Sequence, residues 1–420
     1  MNKPITKICI LGGGFGGLYT ALDLSRLTAV KSGQWQITLV EPKDHFLFTP
    51  LLYELITGEL QRWEIAPSYR QLLTGTQVNL KPQKASNIDL NNHRVYLENE
   101  EVIDYDYLVL AVGVRNRWPA IPGLADYGLT FRSLEDVEKL QTAIHDLETQ
   151  GKSSIDLAII GGGPNGVELA CKVADRLGKK GKVHLVERNE EILQNFPKSV
   201  RVASYRSLLA KNVSLYLNTG LKEVAANSIT VFKDNTNEVI PIDLLLWTAG
   251  TQAQDWINNL DCQKTAQGKL LTRSSLQLID YPEVFALGDL AEIYPNKQVI
   301  PATAQAAYQA ASVVAKNISA VIRKKSPQPY YYLHLGDMLT LGKQSALVSS
   351  FGINITGRLA DIMRRFVYIL RLPSKRHQLK VFQHWAKKIL LRLRYSQVLS
   401  NTKSVEYRLH IRRGKRQKGE

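Results

Sequence analysis

The 420-residue chain has no run of eighteen or more apolar residues, so no helix is expected to cross a bilayer. Its first apolar run, Ile8–Leu11, is too short for the core of a secretory signal and leads straight into glycines. The chain is therefore expected to stay in the cytoplasm or a comparable compartment. Cysteine is scarce. Cys9, Cys171 and Cys262 lie far apart and make no C-x-x-C pair, which excludes a disulfide scaffold and a zinc site. They read as plain buried or half-buried thiols. The eight histidines show no H-E-x-x-H or similar spacing, so no metal is expected. Net charge is nearly absent from the first 350 residues, which stand at +1, although the whole chain carries +16. The remainder, from Phe351 onward, sets eighteen Lys and Arg against Asp361, Glu406 and Glu420. A tail so basic seeks an anionic surface, either lipid or nucleic acid.

What is present argues for a globular protein. With 44% apolar and 22% charged residues, disorder is not the default, and the length suggests two or three domains. A short apolar strand at Lys7–Leu11 is followed by glycines Gly12–Gly17. A helical pattern through Leu18, Leu22 and Leu24 comes next, then a second strand, Gln36–Val40, that ends on Glu41. The same order returns as strand Leu157–Ile160, glycines Gly161–Gly166, a helix through Val167 and Leu169, strand Val183–Val186 and then Glu187. The two copies start 149 residues apart, a repeat at domain scale. Three further apolar strands end in small residues: Tyr107–Val112 before Gly113, Leu244–Thr248 before Ala249-Gly250, and Val284–Leu287 before Gly288-Asp289. Helical spacing resumes over Ala302–Ala315, and Pro327 and Pro329 mark a boundary.

Gly12-x-Gly14-x-x-Gly17 and Gly161-x-Gly163-x-x-Gly166 each sit between a strand and a helix, with an acid closing the unit. One glycine allows the tight turn, one lets backbone approach a pyrophosphate, and one lets helix and strand pack closely. The pyrophosphate then lies at a helix N-terminus, where free N–H groups and the helix dipole favour an anion. Glu41 and Glu187 are placed to accept from ribose hydroxyls. One such loop is weak evidence; two complete units imply two dinucleotides, which makes sense if one is a mobile hydride donor and the other a fixed acceptor.

At this point the chain resembles the two-dinucleotide-binding-domain flavoproteins and, more narrowly, the type II (alternative, non-pumping) NAD(P)H:quinone oxidoreductases. The resemblance spans essentially the whole chain. ILGGGFGGLYTA at the N-terminus is similar to the family's FAD fingerprint, and HFLFTPLLYEL (His45 to Leu55) to the segment beside the flavin. YDYLVLAVG (Tyr105 to Gly113) and VFALGDLA (Val284 to Ala291) resemble the later FAD segments. IIGGGPNGVELA (Ile159 to Ala170) resembles the NAD(P)H fingerprint and carries Glu168. LLLWTAG (Leu244 to Gly250) resembles the matching strand of the nicotinamide domain. PATAQAAYQA (Pro301 to Ala310) resembles the AQ-x-A-x-Q element where flavin and quinone sites meet. The resemblance implies FAD as resident cofactor, with NADH or NADPH as donor. Besides the loop glycines, Glu41 and Glu187, it implies that Thr49, Pro50, Gly113, Gly250, Asp289 and Ala304 line the cofactors. Within the family the sequence is most similar to the branch of oxygenic phototrophs described as demethylphylloquinone reductases. The implied acceptor is a prenyl naphthoquinone such as demethylphylloquinone, or a prenyl benzoquinone. The alternative is a respiratory reductase of plastoquinone or ubiquinone.

Three residues are expected to act in the chemistry. Gln305 and Gln309, four apart, share one helical face and could donate to quinone carbonyls. Glu168, two residues past the last loop glycine, is expected on the first turn of its helix, near the nicotinamide, and reads equally as a carboxylate placed there by the helix dipole. In the tail, Ile355, Leu359, Ile362, Phe366 and Ile369 fall at helical steps, with Arg358, Asp361, Arg364 and Arg365 off that line. A second stretch repeats this with Leu379, Phe382, Ala386, Ile389 and Leu393, with Trp385 flanking. Basic face, apolar face and an aromatic describe helices lying on an anionic membrane.

The expected fold is thus α/β: two Rossmann-like dinucleotide-binding domains plus a C-terminal amphipathic helical membrane anchor. The expected division is 1–120 and 283–330 for FAD, 121–282 for NAD(P)H, and 331–420 for membrane association. The expected partners are a lipid-soluble quinone and an anionic membrane surface, plasma or thylakoid, met from the cytoplasmic side; a homodimer is compatible with this. Rival readings are weaker. A sulfide:quinone reductase or a disulfide reductase needs cysteines at the flavin, and Cys9 and Cys171 are not suitably placed. A nucleic-acid-binding flavoprotein would use the basic tail, but no nucleic-acid motif appears, so none is expected as a partner.

Overall fold

A computed structural model describes residues 4–294 and 300–388. The chain divides into two compact units, residues 1–365 and 366–420. The first unit is built on two parallel sheets with the same grammar. In the first, β1 (Thr6–Leu11) leads through the glycine loop into α1 (Phe15–Ser25) and returns in β2 (Trp35–Val40). It is completed by β3 (Val78–Lys81), β4 (Tyr107–Leu110) and, much later in the chain, Val284–Ala286. The strand order is Val284–Ala286, β4, β1, β2, β3, every pair parallel. Parallel strands are covered on both faces and therefore read as continuous apolar runs. Accordingly Ile8, Cys9, Ile10 and Leu11 are all buried. Each large aliphatic side chain so buried contributes roughly 1.5–3 kcal/mol of transfer free energy.

The second sheet starts with the short β5 (Gly128–Leu129). Then come β6 (Ile155–Ile160), α2 (Pro164–Leu177), β7 (Gly181–Val186), β8 (Ser214–Tyr216) and β9 (Leu244–Trp247). Its order is β8, β7, β6, β9, β5, again all parallel. The duplication holds to the residue. Leu11 pairs with Val40 at the end of the first β-α-β repeat, and Ile160 with Val186 at the end of the second repeat. Two three-stranded antiparallel sheets, 85–104 and 220–241, connect the strands of the larger sheets.

After Val284–Ala286 the chain makes a 3-10 turn, Gly288–Leu290, and then α3 (Ala304–Ile322), whose capping Thr303 accepts from the Ala306 N–H at 3.2 Å. An irregular strap follows, and then the antiparallel strands β10 (Asp337–Thr340), β11 (Ala346–Ser350) and β12 (Ile353–Gly357). Residues 354–357, expected to open a helix, are strand instead. Ile355 packs on a small cluster of Ala346, Val348 and Ala360, and Gly357 at φ +79° breaks the strand before α4 (Arg358–Arg371) begins.

In α4 part of the charged face turns inward: Arg364 is fully buried and Asp361 is 4% exposed, while Leu359, Ile362 and Met363 lie in the open at 60%, 65% and 37%. Burial of the charges is possible because partners wait for them, as described below.

In the second unit, the end of α4 is followed by a turn and a helix over 375–388. The side-chain amide of Gln378 donates to the carbonyls of Leu370 (3.1 Å) and Leu372 (2.7 Å), fastening that turn. Phe366, Leu370, Leu379 and Phe382 are exposed. Ile389, Leu393 and the basic tail beyond them lie outside the described residues. Among the described residues no helix is long and apolar enough to cross a membrane, and no cluster of His, Cys, Asp or Glu could hold a metal ion.

Candidate functional site

The two glycine loops fold alike because the same constraints act on each. Gly12 takes φ +94° and Gly161 φ +113°, values that L side chains rarely adopt. Gly17 lets helix and strand close up: a Cβ there would stand 1.8 Å from the Gly12 carbonyl oxygen, and one on Gly166 would stand 1.8 Å from that of Gly161. Gly14 and Gly163 are different. A Cβ on either would meet nothing within 4 Å, so these two glycines border open space above the helix N-terminus. Both helices start without a side-chain cap and without an acid in the first turn. Uncapped N–H groups facing open space suit a pyrophosphate.

The closing acids are held identically. Glu41 accepts from the Gly13 N–H at 2.6 Å through one oxygen and from the Lys43 N–H at 3.1 Å through the other. Glu187 accepts from the Gly162 N–H at 2.5 Å and, through its other oxygen, from the Asn189 backbone and side chain at 2.8 and 2.6 Å. Each carboxylate is thus fixed at the end of the second strand, where it also braces its loop. The Tyr69 hydroxyl closes the first loop by donating to the Gly13 carbonyl at 2.8 Å. The groups present fit two dinucleotides.

The remaining cofactor candidates lie around these loops. Gly113 ends the turn after β4 at φ +62°, with open space beside it. Gly250, at φ +78° after β9, accepts from the Arg117 N–H at 3.2 Å. Asp289 sits in the Gly288–Leu290 turn; burial raises its carboxyl above the usual range, opposed by Arg132 and Lys269. A cavity of about 140 Å³ is lined by Gly288, Asp289, Pro301, Ala306 and Tyr330. Ala304 is the first residue of α3. A larger cavity, about 660 Å³, opens by the 85–89 strand and Trp256 and is lined by none of these residues.

Thr49 and Pro50 begin a 3-10 helix, Thr49–Leu55, which Phe46, Phe48, Leu51 and Leu52 anchor in the core. Phe15, the first residue of α1, packs edge-on against both Phe46 and Phe48, at 5.2 and 5.3 Å between ring centres. The segment is thereby tied to the first loop. Its Tyr53 hydroxyl donates to the Asn165 side chain of the second loop at 3.0 Å, so one short helix touches both cofactor loops.

Glu168 lies near this junction, though not on the first turn of its helix: α2 starts at Pro164, which puts Glu168 in the second turn, where the dipole is weaker. It is 8% exposed and accepts from the Thr340 N–H of β10 at 2.8 Å. Burial pushes its carboxyl up to about 8 against the opposing effects of Thr340, Tyr53 and Lys172, so it holds a proton at neutral pH.

Gln305 and Gln309 do share a face of α3, and both are engaged. Gln309 donates to the Leu333 carbonyl at 2.8 Å and accepts from the Leu333 N–H at 3.0 Å. Gln305 accepts through its oxygen from the Tyr332 hydroxyl (2.7 Å) and the Leu335 N–H (3.3 Å). Its amide NH2 is used by neither bond.

One cluster had no expectation attached to it. Glu54 and Glu59, at the end of the flavin-side segment, meet Lys172 of α2 and Arg364 and Arg365 of α4. Asp361 closes the group, 2.9 Å from Arg365 and 3.8 Å from Arg364. Burial would raise the Glu59 carboxyl, but Lys172 and Arg365 bring it down to about 2. Glu54, Lys172 and Arg364 are fully buried, so these charges tolerate burial only as a set. Scattered charges give no periodic signal, which is why the set is invisible in the sequence. Cys9 and Cys171 are buried with thiols pushed up to about 12, and no pair of thiols stands at either loop.

Comparison with known proteins agrees with this geometry. Residues 6–311 match the model of the pyridine nucleotide-disulphide oxidoreductase family. The chain is 42% identical to demethylphylloquinone reductase NdbB of Synechocystis sp. over 390 residues, 92% of this chain and 96% of that protein. It is 32% identical to the alternative NAD(P)H-ubiquinone oxidoreductase C1 of Arabidopsis thaliana, over 91% of this chain and 80% of that one. The fold is shared with the NDH2 structure from Plasmodium falciparum in complex with NADH, with a TM-score of 0.81 at 20% identity over 91% of this chain and 98% of the other. It is also shared with the sulfide:quinone oxidoreductase of Aquifex aeolicus, with a TM-score of 0.75 at 20% identity over 88% and 92%.

Proposed function

The chain belongs to the pyridine nucleotide-disulphide oxidoreductase family and, within it, to the type II NAD(P)H:quinone oxidoreductases, and from that membership we propose that it oxidises NADH or NADPH through bound FAD and delivers the two electrons to a lipid-soluble quinone. The observation that carries this reading is the duplicated loop with its braced acid, because two identical dinucleotide cradles in one chain serve one resident and one visiting nucleotide. FAD supplies the redox chemistry when bound, taking hydride from the nicotinamide and passing two electrons on. The chain's own residues bind, orient and exclude water.

In this account Gly12, Gly14 and Gly17 admit the FAD pyrophosphate and Glu41 accepts from its ribose. Asp289, Gly113 and Ala304 line the rest of the FAD, and Thr49 and Pro50 cover the ring. Gly161, Gly163 and Gly166 admit NAD(P)H, with Gly250 at the nicotinamide end. Glu187 accepts from the ribose 2′-hydroxyl and disfavours a 2′-phosphate, so NADH is the preferred donor, while the exposed Arg188 beside it keeps NADPH usable. Glu168, protonated and next to Tyr53, keeps a proton where the two cofactor loops meet. The Gln305 NH2 donates to a quinone carbonyl. Gln309 holds the strap beside it.

The acceptor is a prenyl naphthoquinone of the demethylphylloquinone type, the substrate class named for the 42% identical relative. A benzoquinone is the second reading, from the name of the 32% identical one. Such a quinone resides in a bilayer, and α4 is suited to meet one from the cytoplasmic side. Leu359, Ile362 and Met363 are exposed on a helix whose Asp361, Arg364 and Arg365 are already paired on its other side. Burying several such side chains contributes on the order of 1.5–3 kcal/mol each when complete. Each basic residue of the tail adds about 1 kcal/mol near an anionic leaflet. The enzyme is thus read as a peripheral membrane protein with residues 331–420 on the membrane side.

The test is a steady-state assay of purified protein with NADH and NADPH against naphthoquinones, benzoquinones and ferricyanide. Turnover with prenyl naphthoquinones supports the reading. A protein that turns over only with ferricyanide does not have this function.

A further inference from the structure

The strap between α3 and β10 is built more firmly than a connection requires. Leu333 makes a two-way bond with Gln309, and the Leu335 N–H donates to Gln305. The Ser350 hydroxyl donates to the Leu335 carbonyl at 2.7 Å. Gly336, at φ +115°, lets the strap close on β11: a Cβ there would lie 2.3 Å from the Ser349 oxygen. These bonds fix the intervening polar side chains. Tyr332 is buried, and its hydroxyl lies 2.7 Å from the Gln305 oxygen and 3.2 Å from His334 Nδ1. The far side of the imidazole, Nε2, lies 3.5 Å from Asp337, and the His334 side chain is 53% exposed. A single file of groups therefore runs from water, through an imidazole, to a buried phenol that touches Gln305 at the first turn of α3.

We propose that Tyr332 is the proton donor to the quinone oxygen during reduction and that His334 resupplies it from solvent, with Asp337 as the positioning residue for the imidazole. This rests on the reading that the quinone is bound at Gln305. The balance is as follows. Converting a quinone to its quinol takes two electrons and two protons; hydride from the reduced cofactor accounts for both electrons and one proton. The second proton comes from the chain: the Tyr332 O–H bond breaks as an O–H bond forms on the quinone oxygen. His334 then gives its Nδ1 proton to the Tyr332 oxygen while its Nε2, on the side of Asp337 and water, takes a proton up, so the imidazole ends with the charge it began with. A general acid must also be recharged by a group within hydrogen-bond reach, and His334 Nδ1, 3.2 Å from the hydroxyl, is so placed. Burial raises the Tyr332 hydroxyl above the usual range, so it is protonated before the step and gives the proton up only to the negative charge that builds on the quinone oxygen as electrons arrive.

The experiment uses the FAD-loaded protein with Tyr332→Phe and His334→Gln. Stopped-flow separates reoxidation by a soluble naphthoquinone from reoxidation by ferricyanide, which takes electrons and no proton. Quinone affinity is measured independently on the oxidised protein by tryptophan fluorescence. Tyr332→Phe is expected to slow naphthoquinone reoxidation at saturating quinone about 100-fold, the usual scale for loss of a general acid, with the ferricyanide rate unchanged. His334→Gln is expected to slow the same step, and added imidazole to restore it, which a merely structural role would not allow. Wild-type reoxidation in Tyr332→Phe, a fall in affinity that accounts for the slower rate, or failure of imidazole to rescue His334→Gln overturns the relay. If instead the wild-type protein itself is not reoxidised by the naphthoquinone, it is the quinone reading that fails.

Discussion

Glu168→Gln isolates the most perturbed carboxyl near the junction of the two loops. The folded chain holds this group at about 8, whereas the ordinary carboxyl value is 4.5. Below the lower value both folded and unfolded states carry the proton and there is no effect. As the pH rises through the window between the two values, the unfolded chain ionises while the folded one does not, and stability falls by about 1.4 kcal/mol per unit. At pH 7 the accumulated loss is on the order of 3 kcal/mol. Glutamine keeps the carbonyl that accepts from the Thr340 N–H at 2.8 Å and removes the titration. Glu168→Gln should therefore match wild type near pH 5 and be more heat-resistant at pH 7.5. The assay is the melting temperature of the FAD-loaded protein from pH 5 to 8.5, wild type against variant. Parallel curves would refute the argument, because they would mean Glu168 ionises in the folded protein as it does in water.

Other outcomes follow from single contacts. Glu187→Gln, which keeps one acceptor oxygen but loses the charge, should shift the kcat/KM ratio toward NADPH; an unchanged ratio would remove Glu187 from the ribose site. Arg364→Ala leaves Glu54 buried without its guanidinium partner and should cost about 3–5 kcal/mol in a denaturant titration, whereas a loss below about 1 kcal/mol would show that the charges are reached by water. Deleting residues 366–420 spares Asp361, Arg364 and Arg365 and should strongly weaken flotation with anionic liposomes while ferricyanide reduction by NADH persists. Binding of the full chain should weaken with salt. Flotation by the truncated protein as strong as that of the full chain would remove the tail from the membrane contact, and a DNA gel shift without flotation would favour a nucleic acid as the partner of the tail.

The readable and unreadable parts of this molecule divide on physical grounds. Both sheets and both loops were legible because strand, glycine spacing and closing acid are local in sequence, and local steric demands leave few alternatives. Glycines such as Gly17 declare a close approach that no other residue permits. For α4, periodicity shows that the helix has two faces but not what covers the charged one. Glu54 and Glu59 supply buried partners to Arg364 and Arg365 from 310 and 306 residues away, and that part of the charged face goes in. Gln309 looked like a free donor since its bonding partner, the backbone of Leu333, carries no side-chain signature. The approach of Thr340 to Glu168 is likewise a tertiary fact, set by how β10 crosses α2.

The central claim, that one chain couples a nicotinamide to a quinone through FAD, is tested most directly by an anaerobic single-turnover titration. Purified protein should be yellow and release about one FAD per chain on denaturation. About one NADH per flavin should bleach it, and a stoichiometric amount of a prenyl naphthoquinone should restore the colour and leave one quinol for each NADH consumed. A colourless protein that cannot be reconstituted with FAD, or a bleached flavin that the quinone leaves reduced, would contradict the account.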